Sequence, residues 1–269
     1  MPELPDVEGF KRYFARHAAG RRVRGVEVPN PAIVRNASPA SLGRALGGRR
    51  FAKPRRIGKW MVAPTGGPAL VFHFGMTGCF VWSSQADDRH RHDRLVLRLR
   101  GGELRYRNMR MLGGVWLASG ADEVDEITGP LGPDTARVDR EQLAAILGAG
   151  RGGLKALLMN QRRLAGIGNE LSDEILWRAR LHPARAANSL DRRAVSRLHR
   201  SLDDLISVSN RHGRIPTEPS WLRSQRRARD PRCPRCDSRL RRSKIAGRTS
   251  YWCPRCQRRP GSESTRSAP

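Results

Sequence analysis

Apolar residues first recur at helical spacing. In PDVEGFKRYFARHA (5–18), Val7, Phe10 and Phe14 fall on one face, Pro5 suits a first turn, and Gly20 supplies a stop. The period then changes to two. RVRGVEV (22–28), ALVFHFG (69–75), RLVLRLR (94–100) and GELRYR (102–107) read as strands, with Leu95, Leu97 and Leu99 alternating against Arg94, Arg98 and Arg100. Short strands with turn residues between them predict an all-β sandwich or barrel for this half. No internal repeat is visible. LASGADEVDEITGPLGPDT (117–135) mixes glycine, proline and acidic residues and reads as an interdomain connection. Helical patterns follow at 140–150, 153–161, 169–179 and about 191–210. In the last, Val195, Leu198, Leu202, Leu205 and Ser209 share a face. The end, GSESTRSAP, is small and polar, which predicts a disordered tail.

A chain of 269 residues can bury a sizeable core and suggests two domains. Charge narrows the partners. Lys and Arg number 52 against 25 Asp and Glu, a formal +27. So large an excess predicts a polyanionic partner, and a phosphate backbone is the commonest one. Acidic residues gather at Asp122, Glu123, Asp125 and Glu126, while 221–259 is almost wholly basic. The start lacks the basic and apolar regions of a signal peptide, and no apolar run is long enough to span a membrane. A cytoplasmic protein with no membrane partner is expected.

Four of the five cysteines form two CxxC pairs, Cys233/Cys236 and Cys253/Cys256, flanking SRLRRSKIAGRTSYW. Four thiolates so spaced close a tetrahedral zinc site with no open position, and the intervening residues read as two strands about Gly247. A hairpin this small has little core, so one structural Zn2+ would supply its folding energy. Arg239, Arg241, Arg242, Lys244 and Arg248 make it strongly cationic. Cys79 lies in a strand-like run and reads as a core residue.

The opening MPELPDVE raises a chemical question. If Met1 is removed, Pro2 carries a secondary amine. An α-amino group titrates at roughly 7.7–8.0, so part of it is an unprotonated nucleophile at neutral pH.

MPELPDVE, IGKW with HFGMTG, LAGIGNELSDEIL and the cysteine module occur in this order. Over residues 2 to about 258 the chain resembles the formamidopyrimidine-DNA glycosylase and endonuclease VIII family of base-excision repair enzymes. The resemblance implies an α+β multidomain fold: an N-terminal β-sandwich with flanking helices (2–117), a linker (118–135), a helix–two-turns–helix domain (136–222), a zinc β-hairpin (228–258) and a tail (259–269). It implies a bifunctional DNA glycosylase and abasic-site lyase, monomeric, acting on double-stranded DNA that carries damaged bases or abasic sites. In a bacterium such an enzyme would be associated with the nucleoid. By the same matching, Pro2 is the Schiff-base nucleophile, Glu3 the proton donor, and Asp6 a candidate acid or base. Lys59 is a phosphate contact and proton donor for elimination, and Arg248 a phosphate contact for δ-elimination. His73, Lys155 and Asn169 are backbone contacts. Met76, Arg110 and Leu112 match the side chains that fill the vacated stack.

Two positions and one segment depart from the family pattern. Asp6 stands where glutamate is common, and Leu112 where the wedge is aromatic. GRIPTEPSWLRSQRRARDPRC (213–233) is shorter and more basic than the loop that caps an extruded oxidised purine in the purine-directed members. The MPELP start resembles the purine branch and the short loop the pyrimidine branch. One alternative is a damaged-DNA-binding protein of the same fold without turnover. Another, a zinc-ribbon transcription or RNA-binding factor, leaves residues 1–220 without a role.

Overall fold

The structure, a computed structural model, describes residues 1–85 and 89–259. The predicted tail beyond Arg259 lies outside the described residues. The chain divides into two compact units, Met1–Leu131 and Gly132–Pro269.

The first unit opens with α1 (Leu4–Ala18) and contains β1 (Gly25–Glu27), α2 (Pro39–Leu46), β2 (Arg55–Ile57), β3 (Trp60–Pro64), β4 (Ala69–His73), β5 (Cys79–Ser83), β6 (Asp93–Leu99), β7 (Gly102–Arg107), β8 (Gly114–Ala118) and α3 (Ala121–Thr128). The strands form two antiparallel four-stranded sheets, ordered β1-β6-β7-β5 and β2-β3-β4-β8. Their inner faces meet over Met61, Leu70, Phe72, Leu95, Leu97, Leu104 and Tyr106, all essentially buried. Phe14 from α1 joins this core edge-on to Phe51, with ring centroids 5.1 Å apart. The sandwich read from the strand pattern is present, as is the first helix.

Several elements differ from the sequence reading. β1 is shorter than 22–28: Arg24 N still bonds Arg98 O of β6, but Val23 N turns to Arg49 O and Arg22 bridges Arg50 instead. The stretch 118–135 is not bare connection. Val124 of α3, with Ile127, covers the outer face of β3 and β4 at Val62 and Val71. Asp122 and Glu123 occupy the first turn of α3, where the helix dipole favours anions. Cys79 lies in a strand but not in the core: half-buried, it pairs opposite Arg107 on the sheet's outer face. That face is ionic. Arg105, 1 % exposed, pairs with Glu103 at 3.0 Å, and Arg107 with Asp93 at 2.7 Å.

The second unit contains α4 (Arg140–Gly148), α5 (Leu154–Met159), α6 (Asn169–Arg178), α7 (Arg192–His212), and the hairpin of β9 (Arg241–Ile245) and β10 (Arg248–Trp252). Asp191 caps α7 through Ala194 N at 2.6 Å, and Gly213 ends it in the left-handed region. Val195, Leu198, Leu202, Leu205 and Ser209 are all buried, as the spacing predicts. Ala246 and Gly247 both adopt positive φ, the geometry of a tight two-residue hairpin turn. Among the described residues no helix is long and apolar enough to cross a membrane.

Candidate active site and nucleic-acid interface

Met1 is exposed and Pro2 half-exposed, whereas Glu3 is 1 % exposed. The buried carboxyl is held by local structure. Glu3 is the N-cap of α1, and Asp6 Oδ2 accepts its N–H at 2.8 Å to close a capping box. The shorter Asp6 side chain therefore reaches its partner, and its role here is to fix the backbone between Pro2 and the helix.

α1 also steadies Lys59. Ile57 pairs with Trp60, so Gly58 and Lys59 form the turn between β2 and β3, with Gly58 at φ +54°. Arg56 donates to Gly58 O at 3.0 Å and to Glu8 Oε2 at 3.3 Å, tying that turn to α1. Glu8 was quoted in the opening motif without a role; this contact gives it one. His73 pairs with Trp60 across β3 and β4, their rings 4.7 Å apart. Burial, then the Lys59 charge, lowers the His73 pKa to about 4, so the ring is neutral at pH 7. Its Nδ1 accepts from Gly75 N at 3.3 Å, which assigns the proton to Nε2 and leaves that atom a donor.

Met76 and Arg110 lie together: Arg110 Nη1 is 3.1 Å from Met76 Sδ. Their two turns share one organiser that sequence reasoning missed, the fully buried Asn108. Its Oδ1 accepts from Thr77 Oγ1 at 3.1 Å and Met111 N at 3.0 Å, and its Nδ2 donates to Tyr106 Oη at 2.9 Å. Thr77 Oγ1 in turn accepts from Arg110 N at 3.0 Å. The backbones touch here: a Cβ on Gly113 would sit 2.0 Å from His73 O. Met76, Met109 and Leu112 are 38 %, 55 % and 56 % exposed. With Met1 they are the exposed large hydrophobics among the described residues.

In the second unit, Asn169 begins α6 after Gly168. Asn169 Oδ1 accepts from Lys155 Nζ at 2.7 Å, and its Nδ2 donates to Thr249 O at 3.1 Å. Lys155, read as a backbone contact, is instead fully buried, and its ammonium also donates to Asp173 Oδ1 at 2.6 Å. It cannot present its charge to a ligand without leaving the core. Asp173, 2 % exposed, was not singled out in the sequence. Its Oδ2 accepts from Tyr251 N at 3.0 Å and from Arg226. Burial raises its pKa, against the pull of Lys155 and Arg226. Arg248 is exposed beside the hairpin turn.

The Cys233, Cys236, Cys253 and Cys256 sulfurs all lie within 4.8 Å of one another, three of the pairs at 3.5, 3.6 and 3.9 Å. Four sulfurs about 2.3 Å from one ion at tetrahedral angles stand about 3.8 Å apart, so the set fits one structural zinc. Trp177 Nε1 donates to Cys233 Sγ at 3.3 Å, support of the kind that fixes a ligand's orientation.

Residues 1–115 match the formamidopyrimidine-DNA glycosylase N-terminal domain, 131–218 the formamidopyrimidine-DNA glycosylase H2TH domain, and 231–259 a zinc finger found in FPG and IleRS. The chain is 33 % identical to the formamidopyrimidine-DNA glycosylase of Pelotomaculum thermopropionicum, covering 96 % of this chain and 99 % of that one. It is 34 % identical to the Rhodococcus opacus protein of the same name, covering 97 % and 98 %. Among solved structures, it is similar to the Lactococcus lactis enzyme bound to Fapy-dG-containing DNA (TM-score 0.86, 26 % identity, 96 % and 100 % covered). MutM in complex with carbocyclic 8-oxo-G-containing DNA gives 0.87, 26 % and the same coverage.

Proposed function

The chain belongs to the formamidopyrimidine-DNA glycosylase family of base-excision repair enzymes, and we propose that it excises oxidised or ring-opened bases, and cuts abasic sites, through the amine of Pro2. The observation that carries this is the half-exposed Pro2 joined to the buried Glu3 at the capped start of α1. With Met1 gone, the Pro2 nitrogen attacks C1′ of the damaged nucleotide. The C1′–base bond breaks, and Glu3 protonates the sugar ring oxygen as the ring opens. A secondary amine yields a cationic iminium, an electron sink that acidifies the C2′ proton. Loss of that proton expels the 3′ phosphate, and a second elimination expels the 5′ phosphate.

The remaining residues bind and orient. Lys59 contacts phosphate and supplies a proton for elimination, and His73 donates from a neutral Nε2–H. Asn169 acts together with the start of α6, where N–H groups and dipole suit an anion. Arg248 contacts phosphate from the hairpin turn and assists δ-elimination. Met76, Arg110 and Leu112 fill the space left by the extruded nucleotide, recovering part of its unstacking cost of a few kcal/mol. Zinc would hold the hairpin and supply no chemistry. We place the enzyme in the cytoplasm, on the nucleoid.

Borohydride present during reaction with lesion-bearing duplex should trap a covalent adduct on protein verified by mass spectrometry to begin at Pro2. Full-rate strand scission by protein that retains Met1, or no adduct with any oxidised base or abasic site, overturns the assignment.

A further inference from the structure

α6 meets the zinc hairpin with three side chains spaced four residues apart, which places them on one helix face. Asn169 Nδ2 donates to Thr249 O, Asp173 Oδ2 accepts from Tyr251 N, and Trp177 Nε1 donates to Cys233 Sγ. Asp173 is the middle contact and the ionic one. Its Oδ1 takes the Lys155 ammonium that also holds Asn169 Oδ1. Its Oδ2 takes the Arg226 guanidinium, which donates to Thr249 O at 3.2 Å and lies 4.7 Å over the Tyr251 ring. One carboxylate thus joins α5, α6, the 222–227 turn and β10.

The hairpin needs such an anchor. β9 and the start of β10 are exposed, and the buried cluster beneath the module is Trp177, Leu222, Cys233, Leu240 and Cys253. Zinc would fix the chain at Cys253. Arg248 lies five residues earlier, about 17 Å along an extended strand. An isolated two-stranded ribbon is marginally stable and does not hold its own tip in place. The bonds at Thr249 and Tyr251 do, and both pass through the Asp173 cluster. Without the Asp173 charge, Lys155 and Arg226 would be left as neighbouring cations in a desolvated site.

We propose that Asp173 is a positioning residue that locks the hairpin tip, and with it Arg248, in register with Asn169, so that the two phosphate-contacting groups act as one rigid pair. This rests on the assignment of Asn169 and Arg248 to phosphate given above. The carboxylate itself touches no DNA and moves no proton.

The test is a double-mutant cycle of Asp173→Asn and Arg248→Ala. It is read as equilibrium binding to a duplex carrying a tetrahydrofuran abasic-site analogue, across a series of salt concentrations. Zinc content is followed by thiol release. Asp173→Asn should weaken binding about tenfold and flatten the log–log salt slope by roughly 0.9, the value of one lost phosphate contact. In the Arg248→Ala background, the same change should weaken binding less than twofold and leave the slope unaltered. Additive losses, or a wild-type slope in Asp173→Asn, overturn the inference while leaving the catalytic reading intact. If Asp173→Asn loses zinc, Arg226→Gln carries the cycle, because it removes one of the carboxylate's partners and keeps the buried Lys155 pair. If Arg248→Ala alone binds as wild type, the phosphate assignment of Arg248 falls and takes the inference with it.

Discussion

Asn108→Ala tests how the turns that carry Met76 and Arg110 are held. The substitution removes three hydrogen bonds made by a buried side chain, to Thr77, Met111 and Tyr106. Each is worth about 1 kcal/mol net, so a loss of about 3 kcal/mol is expected. For a unit the size of Met1–Leu131, that lowers the melting transition by roughly 10 °C. Activity should divide by substrate. If Met76 and Arg110 fill the vacated stack as proposed, they are needed most where a stacked base must be displaced, so excision of an oxidised base should fall about tenfold or more, about 1.4 kcal/mol. Cleavage of a preformed abasic site has no base to unstack and should fall by less than about threefold. Single-turnover rates on the two duplexes, beside a calorimetric scan, measure both effects. Equal losses on both substrates would refute the division of labour, and an unchanged melting temperature would refute the role of Asn108 as organiser.

Three further outcomes follow from the same geometry. His73 titrates at about 4 in the fold against an ordinary 6.5, so between those values the unfolded chain binds the extra proton. That contribution is complete above pH 6.5 and is lost as pH falls toward 4, about 3 kcal/mol in all; His73→Gln should therefore shed less stability between pH 7 and 4.5 than wild type, measured by urea titration. Leu112 is 56 % exposed, so Leu112→Phe meets no core and should tighten binding to a duplex with an extruded nucleotide by about 1 kcal/mol through base stacking, read by fluorescence anisotropy. Cys236→Ser removes one of the four clustered sulfurs and should release zinc and abolish tight DNA binding, with the melting of residues 1–131 unchanged; retained zinc stoichiometry would contradict the four-thiolate site.

What was legible in the chain follows how far each element's order depends on distant partners. α7 declares itself because one face is buried and the other wet, so Val195, Leu198, Leu202 and Leu205 recur against arginines. β3 does not. In WMVAP, Met61 and Ala63 face the sandwich while Val62 faces α3, so both faces are apolar and no alternation survives. α3 was hidden for the opposite reason: its apolar anchors, Val124 and Ile127, stand among acidic residues that look like a solvated linker. Pro2 with the adjacent Glu3, and the zinc ligands, were visible because the chemistry proposed for them needs residues adjacent in sequence or, within each CxxC pair, three apart. Asn108, Asp173 and Arg226 were not, because each acts through partners brought from elsewhere in the chain. Lys155 was misplaced for the same reason: a lysine in a basic, DNA-binding chain reads as surface charge until its ammonium is found between Asn169 and Asp173.

The same distinction explains how a chain of net charge +27 folds around so many cations. Many of its carboxylates point inward or sideways at specific partners. Asp93 and Glu103 brace the outer sheet face, Glu8 holds Arg56, and Asp173, with Glu174 beside it, faces the hairpin and the turn before it. Each neutralises a cation that shapes the scaffold, and a buried carboxylate so paired contributes little to the field outside. The surplus positive charge is therefore left at the surface, where it can attract a phosphate backbone over a Debye length of about 8 Å. Replacing an internal carboxylate with a neutral residue would raise the formal charge and yet weaken DNA binding, because what it removes is the placement of the arginines rather than their number.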